Sequence, residues 1–235
     1  RGIEYLDITS GQFTHYNKNT VPDLPCEQTW TVLDGGDGNL YIGHVGSGFS
    51  ILSLKDKSVK NFRNEAGNPM SLPGNDVFCI IKDTNGNIWL GTNKGLALYN
   101  AANENFITFK KNKNDKYDTL CSRILSIRQL KDNKLWIASE LNGIAILNLK
   151  QSMFLSPEEI SLEYIQEGDD SRSLSNASAR CIFQDSFDNI WIGTWGGGIN
   201  FISSKSPLFT TLSYSPIPNN ENSLNNKVAS SLCMD

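Results

Sequence analysis

Short apolar runs separated by polar turns dominate this chain, and residues 77–110 show the arrangement. The runs are VFCIIKD, NIWLGT, GLALYN and FITFK, with Gly, Asn and Lys between the later ones. They are rich in β-branched and aromatic residues, which favours strands. A D-x-x-G turn joins the first two runs, as in a β-hairpin. The pattern predicts a four-stranded antiparallel meander.

The same pattern occurs four times. The aromatic column holds Tyr41, Trp89, Trp136 and Trp191, at intervals of 48, 47 and 55 residues. Two small-residue columns follow, Gly43, Gly91, Ala138 and Gly193, then Gly48, Gly95, Gly143 and Gly198. A four-stranded unit repeated at this period is typical of a propeller blade. A helical repeat is disfavoured because Gly and Asn interrupt every apolar run before a helix of useful length is reached.

The predicted fold class is therefore all-β, a β-propeller of four-stranded antiparallel blades. We expect a partial propeller, with about four whole blades and pieces of two others. The segments are 1–20 (outer strands of a preceding blade), 21–68, 69–116, 117–170 and 171–220 (whole blades), and 221–235 (first strand of the next blade). On the innermost strand, small side chains align, as converging strands require: Thr31, Cys79, Ser126, Cys181 and Ser230.

Charge and composition exclude several classes of function. The chain has 21 basic and 25 acidic residues, mixed along its length, so we expect no nucleic-acid partner. No run approaches the roughly 20 apolar residues of a membrane helix. Five cysteines without a CxxC pair indicate neither a zinc site nor a disulfide framework. Hairpin chemistry explains the Asp, Gly and Asn of the turns, so we predict no metal and no cofactor.

The repeated unit resembles a known family. Its pattern is V-x-x-I-x-x-D-x-x-G-N-[IL]-W-[IL]-G-T-x-x-G-L, preceded by N-S-L-x-x-N-x-V, and it resembles the two-component regulator propeller repeat. Residues 76–100 and 179–202 match best. The third unit departs at Leu130 and Lys134, and the first at Tyr41 and His44.

This resemblance implies the periplasmic sensor region of a hybrid two-component system histidine kinase. In such a sensor we expect the ligand to be an oligosaccharide or another small glycan released when polysaccharides are broken down. Binding of this ligand is expected to signal, and so to regulate polysaccharide-utilisation genes. The expected partners are the remaining blades and domains of the parent chain, in a homodimer of the parent sensor. These expectations come from the resemblance alone, because a fold does not fix a function.

Candidate ligand-binding residues lie in the loops between the second and third strands of each blade. These loops emerge on the face that also carries the connections between blades, and they share almost no side chains. The candidates there are His44, Asn93, Lys94, Glu140, Asn142 and Trp195. Such a mixture suits sugar hydroxyls and an apolar sugar face. Trp195 either stacks on a ligand or covers the blade interface, and both possibilities stay open.

Two arginines complete the candidate set. Arg123 enters the first strand of the third unit, and Arg180 lies early in that of the fourth. Arg180 occupies a column otherwise filled by apolar residues: Trp30, Phe78 and Leu125. A buried cation needs either a nearby carboxylate or an anionic ligand such as a uronic acid or sulfated sugar, and both remain open.

No catalytic constellation is visible. The chain has only His15 and His44, and no Ser-His-Asp order, GxSxG or HExxH motif. We therefore predict no enzyme activity and name no catalytic residue. Two alternatives to a sensor remain, a propeller enzyme acting on glycans and a protein-binding propeller scaffold.

Overall fold

The computed structural model describes residues 2–26, 28–109, 117–149, 162–170, 172–214, 223–224 and 226–233. The chain divides into two compact units. The first unit comprises Arg1–Asn93 and Ala97–Thr108, and the second comprises Lys94–Leu96 and Phe109–Asp235. No helix in the described ranges is long and apolar enough to cross a bilayer.

The first unit contains a hairpin and two four-stranded sheets. The hairpin pairs β1 (Ile3–Asp7) with β2 (Gln12–Tyr16). The first sheet is β3 (Thr29–Asp34), β4 (Asn39–His44), β5 (Phe49–Ser53) and β6 (Val59–Phe62). The second is β7 (Val77–Lys82), β8 (Ile88–Thr92), β9 (Gly95–Asn100) and β10 (Asn105–Thr108). In both sheets the strands lie in chain order, as a meander requires.

The second unit repeats this architecture after a short 3₁₀ turn at Thr119–Cys121. Its first sheet is β11 (Ile124–Gln129), β12 (Lys134–Ser139), β13 (Ile144–Asn148) and β14 (Leu162–Ile165). Its second is β15 (Ala179–Gln184), β16 (Ile190–Thr194), β17 (Ile199–Ser203) and β18 (Ser206–Leu212). These four meanders confirm the predicted all-β propeller fold class. The exact segment boundaries stay a prediction.

The ends of two predicted strands lie partly outside the described residues. Lys110 closes the predicted run FITFK but is not among them, and β10 ends at Thr108. Segment 221–235 is described only at 223–224 and 226–233. There Val228 forms a single antiparallel bridge with Trp195 rather than a strand.

Every first strand carries a β-bulge at the same place. The residues skipped in the pairing register are Trp30, Phe78, Leu125 and Arg180. The next residue in each strand faces the small column, as Cys181 faces Gly193. A Cβ at Gly193 would lie 2.6 Å from Cys181 Sγ and 2.7 Å from the carbonyl oxygen of Ala229. The two small-residue columns are therefore explained by close packing of backbones.

The repeated turn is held together by one aspartate. Asp83 accepts hydrogen bonds from the backbone N–H groups of Asn85 and Asn87, both at 2.9 Å. Its second oxygen accepts from Asn87 Nδ2 and Trp89 Nε1, also at 2.9 Å. Because Asp83 and Trp89 are both buried, these bonds satisfy groups that water does not reach. The Asp, Asn and Trp of this turn recur at Asp185, Asn189 and Trp191 because these side chains hold the turn together.

Asp185 repeats the arrangement in the second unit. It accepts from the backbone of Phe187 and Asn189, and from Trp191 Nε1 at 3.0 Å. Burial alone would raise the pKa of Asp185, but the hydrogen bonds from Trp191 and Asn189 outweigh it and hold that pKa below its usual value.

The two divergent repeats lack this aspartate. In the first, Gly35 stands at the equivalent backbone position, and Asp37 accepts a 3.3 Å bond from the Tyr41 hydroxyl. In the third, Leu130 stands there and packs into the apolar core. Trp136 Nε1 is consequently buried without a hydrogen-bond partner among the described residues. Both sheets thus form without this carboxylate, and in the third repeat the cost is an indole N–H without a partner among the described residues.

Each unit has its own core between its two sheets. In the first unit, Phe49, Phe62, Tyr99 and Phe106 form an aromatic cluster in which the Phe62 and Tyr99 ring centroids are 5.4 Å apart. In the second, Trp136 packs with aliphatic side chains of both sheets, including Ile144. Burial of these large apolar surfaces is the main favourable term that holds neighbouring blades together.

Candidate ligand-binding site

Backbone hydrogen bonds fix the loop end of each sheet in the second unit. The N–H of Glu140 donates to the carbonyl of Arg123 at 3.0 Å, and the N–H of Trp195 donates to the carbonyl of Ser178 at 2.9 Å. Gly143 donates to Ala177 of the next sheet at 2.9 Å. These bonds hold the loop of one sheet beside the first strand of its own sheet and the beginning of the next.

The result is a cluster of four predicted site residues, which we call the cationic cluster: Arg123, Glu140, Arg180 and Trp195. Arg123 Nη1 lies 3.0 Å from Glu140 Oε2 and 3.2 Å from Oε1. Arg180 Nη2 lies 3.7 Å from Glu140 Oε1. The Arg180 guanidinium carbon lies 4.2 Å from the centre of the Trp195 ring, within cation–π distance. Of these four side chains, two are cations and one is an anion.

Burial differs within the cationic cluster. Trp195 is 52% exposed although it is a large aromatic residue, so much of its surface is open to a ligand. The Arg180 side chain is 24% exposed. Its Nε atom is buried and has no hydrogen-bond partner within the described part of the chain. An arginine side chain carries five N–H donors, and in Arg180 the Nε–H donor is unused.

Sequence analysis places His44 in an exposed loop, but the structure places it at the end of β4 with no exposed surface. Its Nε2 lies 2.8 Å from Ser50 Oγ and its Nδ1 lies 3.5 Å from Cys26 Sγ. Desolvation lowers the pKa of His44 to about 4, so the imidazole is neutral at pH 7. The equivalent residues Thr92, Ser139 and Thr194 are also buried. Their small hydroxyl side chains were the signal that this column faces inward.

The other predicted loop residues have backbone roles. Asn93 exchanges bonds with the Asp76 backbone, donating from its N–H at 3.0 Å and accepting at its side-chain oxygen at 3.3 Å. The carbonyl of Asn142 accepts from Thr119 Oγ1 at 3.2 Å and from Gln166 Nε2 at 3.0 Å. Lys94 is exposed. His44 and Asn93 belong to the first unit, whereas Lys94 and the other candidates belong to the second.

Two features of the site were not visible in the sequence. One is the bulge, which sets the residue in the Arg180 column out of the regular register of β15. The other is Ser178, whose hydroxyl is buried and has no partner among the described residues, two positions before Arg180. Within those same residues, no group of three or more His, Cys, Asp or Glu side chains is placed to hold a metal ion. No disulfide joins any of the five cysteines, all of which lie in the described ranges.

Comparison with known proteins agrees with this architecture. Residues 71–94 and 173–196 match the family described as two component regulator propeller. The whole chain is 59% identical to the extracellular domain of BT3049 from B. thetaiotaomicron, assigned as a hybrid two component system, and covers 28% of that chain with a TM-score of 0.72.

Two more distant proteins also match. The extracellular domain of BT4673, from the same organism, is 18% identical over 85% of this chain and 28% of its own, with a TM-score of 0.70, which supports the fold alone. Histidine kinase P4 of Formosa agariphila is 33% identical over 94 residues, which is 38% of this chain and 7% of that protein. This chain thus spans under a third of each relative. Two segments of this chain therefore match the two component regulator propeller, and its β-propeller fold is similar to that of the extracellular domain of a hybrid two component system.

Proposed function

We propose that this chain is an extracytoplasmic, ligand-sensing propeller region of a hybrid two-component sensor kinase, and that its ligand is a glycan breakdown product. The observation that carries the proposal is the 59% identity, over the whole chain, to the extracellular domain of a B. thetaiotaomicron hybrid two component system. The alignment covers the whole chain, so it includes the loops as well as the strands. It therefore supports a shared type of domain and a periplasmic location.

The cationic cluster is the best-supported place for a ligand. A half-exposed tryptophan offers a flat apolar face, and the guanidinium groups beside it offer N–H donors. Sugars present an apolar face and a rim of hydroxyls, so this pair of features suits them. We propose Trp195, Arg180 and Arg123 as direct contacts, and Glu140 as the carboxylate that positions the Arg123 guanidinium beside them.

The remaining predicted residues have smaller proposed roles. We propose Asn142 and Lys94 as further polar contacts in the second unit. Asn93 and His44 are proposed to support the loops of the first unit from within, because one holds the Asp76 backbone and the other is fully buried.

Signalling requires that the ligand bind one conformation of the sensor more tightly than another. We propose that ligand binding shifts this equilibrium in a homodimer of the parent sensor. The shift would pass through the remaining blades and domains of the parent chain to a histidine kinase that regulates polysaccharide-utilisation genes.

The test measures binding of a panel of defined oligosaccharides to the intact extracytoplasmic region, by isothermal titration calorimetry and by thermal shift. A sensor is expected to bind one class of oligosaccharide, gain thermal stability with it and release no product detectable by chromatography. Release of product would instead indicate a propeller enzyme. Failure of the whole panel, together with capture of a protein partner, would indicate a scaffold.

A matched pair of variants localises the site. Trp195→Ala is expected to lose most of the binding, because it removes the stacking face. Phe187→Ala also removes an exposed aromatic side chain, but from the turn at the opposite end of the same sheet, and is expected to bind normally. Equal effects of the two substitutions would contradict the proposed location.

A further inference from the structure

We infer that the ligand of the cationic cluster carries an anionic group, a carboxylate or a sulfate, which Arg180 binds. This inference rests on the proposed function, because it names the chemical class of the sensed glycan. It resolves the alternative between an internal carboxylate and an anionic ligand as partner of Arg180.

The internal carboxylate serves Arg123 more closely than Arg180. Glu140 lies within hydrogen-bond distance of Arg123 through both of its oxygens, at 3.0 and 3.2 Å. Arg180 is 3.7 Å from the same carboxylate, beyond a normal hydrogen bond. Among the described residues, Glu140 thus faces both guanidinium groups, and Arg180 lies farther from it than Arg123. An anion from outside would complete the charge balance.

The donor capacity of Arg180 supports the same conclusion. Its side chain is 24% exposed and its Nη2 lies 3.7 Å from Glu140, while its buried Nε has no partner among the described residues, so the guanidinium keeps donors that are not used. A carboxylate or sulfate accepts two parallel N–H groups of a guanidinium, the geometry for which arginine is favoured over lysine. Contact of the guanidinium with the Trp195 ring restrains its orientation before the ligand arrives.

The fold itself does not require an arginine at the bulge. In the first unit the equivalent residues are Trp30 and Phe78, whose ring centroids lie 5.4 Å apart in an edge-to-face contact. In the second unit, the bulged residue of the sheet that begins with β11 is Leu125. Three bulges are therefore formed with apolar side chains. The cost of partly burying a cation at Arg180 is offset by binding an anion rather than by stabilising the bulge.

The experiment uses calorimetry on the intact extracytoplasmic region to compare three versions of one oligosaccharide. Two versions are acidic, one with a uronic acid and one with a sulfate ester. The third is the neutral control, obtained by carboxyl reduction or desulfation. The acidic form is expected to bind at least about tenfold more tightly, as the loss of a charged hydrogen bond predicts. The uronic acid and sulfate arms identify which anion is recognised.

Three variants test the residues. Arg180→Gln is expected to weaken binding of the acidic form about 10- to 100-fold and binding of the neutral form by less, because the glutamine keeps an N–H donor but carries no charge. Lys134→Gln removes one positive charge from the opposite end of β12, where Lys134 pairs with Glu163, and is expected to have little effect. Glu140→Gln removes the competing carboxylate, so binding of the acidic form is expected to tighten about threefold or more. A purely structural role of Glu140 would weaken binding instead.

The outcomes separate this inference from the proposed function. Equal binding of acidic and neutral forms, or an Arg180→Gln variant with unchanged preference, would overturn the anionic ligand while leaving a glycan sensor intact. Absence of binding by every acidic and neutral oligosaccharide would overturn the glycan sensor itself. Weaker binding by Glu140→Gln would assign Arg180 to an internal ion pair.

Discussion

The two ends of each sheet differ in whether their side-chain interactions repeat from one sheet to another. At the turn end, Asp83 and Asp185 make the same set of hydrogen bonds to equivalent partners, 102 residues apart in the sequence. At the loop end, the corresponding residues Asn93 and Trp195 make equivalent backbone bonds, but their side chains have different partners and different exposure. The turn satisfies buried polar groups of the fold, so its chemistry repeats. The loop side chains are not needed to satisfy buried polar groups of the fold in this way, so they can vary and acquire ligand-binding roles.

The third repeat sharpens this comparison, because it loses the turn chemistry but keeps the blade. Leu130 replaces the aspartate, yet the backbone bond across the turn, from Leu130 N–H to the Lys134 carbonyl at 3.0 Å, is retained. Hairpin geometry therefore survives without the carboxylate. What is lost is the partner of the Trp136 indole.

The largest effect is expected from Asp83→Ala, which breaks the turn end of the second sheet. It removes the acceptor for four hydrogen bonds and leaves buried Trp89 Nε1 unsatisfied. We expect the free energy of unfolding to fall by about 2–4 kcal/mol, measured by urea titration. Ligand affinity of the folded protein should stay unchanged. A loss below about 1 kcal/mol would show that the repeated aspartate is dispensable.

A smaller loss of stability is expected when the pH is lowered, because the buried imidazole of His44 at the loop end of the first unit resists protonation. The folded imidazole has a pKa of about 4, whereas the value in the unfolded chain is near 6.5. Between these values the unfolded state binds more protons, so the free energy of unfolding falls as the pH is lowered from about 6.5 to about 4. The melting temperature measured across this range should fall accordingly.

His44→Thr separates this contribution from the titration of carboxylates. Threonine occupies the same column in two other repeats, where Thr194 donates to the Gly198 carbonyl at 2.9 Å. The variant is expected to be less stable at pH 7, because Ser50 loses its imidazole partner. Its melting temperature should depend less on pH in the window above. An unchanged pH profile would mean that the buried imidazole does not contribute.

The effect of Trp195→Ala on stability is expected to be smaller still. Half of this side chain is exposed, and its backbone N–H bond to Ser178 does not depend on the indole. We expect the free energy of unfolding to change by less than about 1 kcal/mol, although binding is lost. A loss as large as that of Asp83→Ala would instead identify Trp195 as a cover of the blade interface.

The smallest effect is spectroscopic and concerns the unpartnered indole of the third repeat. The Trp136 N–H resonance should lie upfield of those of Trp89 and Trp191, since only the latter two donate to a carboxylate. Proton–nitrogen correlation spectra with single Trp→Phe assignments measure this. A Trp136 resonance downfield of both would reveal a hydrogen bond that the structure does not contain.

The sequence predicted the strands closely and the site only in part. The predicted run VFCIIKD corresponds to β7 at Val77–Lys82, because β-branched and aromatic composition and turn chemistry are local properties. The sequence pattern places His44 at the start of the loop between the second and third strands. Its burial depends on Ser50 in the next strand and on Cys26 before β3, which local patterning does not report.

By itself the sequence determined that this chain forms four-stranded blades, since the repeat period and the Asp–Trp turn specify each meander from contacts within about 48 residues of one another. Only the tertiary structure decided which charges meet. Glu140 and Arg180 lie in different sheets, and their approach depends on how Gly143 bonds to Ala177 across the boundary between those sheets. Contacts between sheets depend on packing and bulge geometry, and these are set by the folded whole rather than by any one repeat.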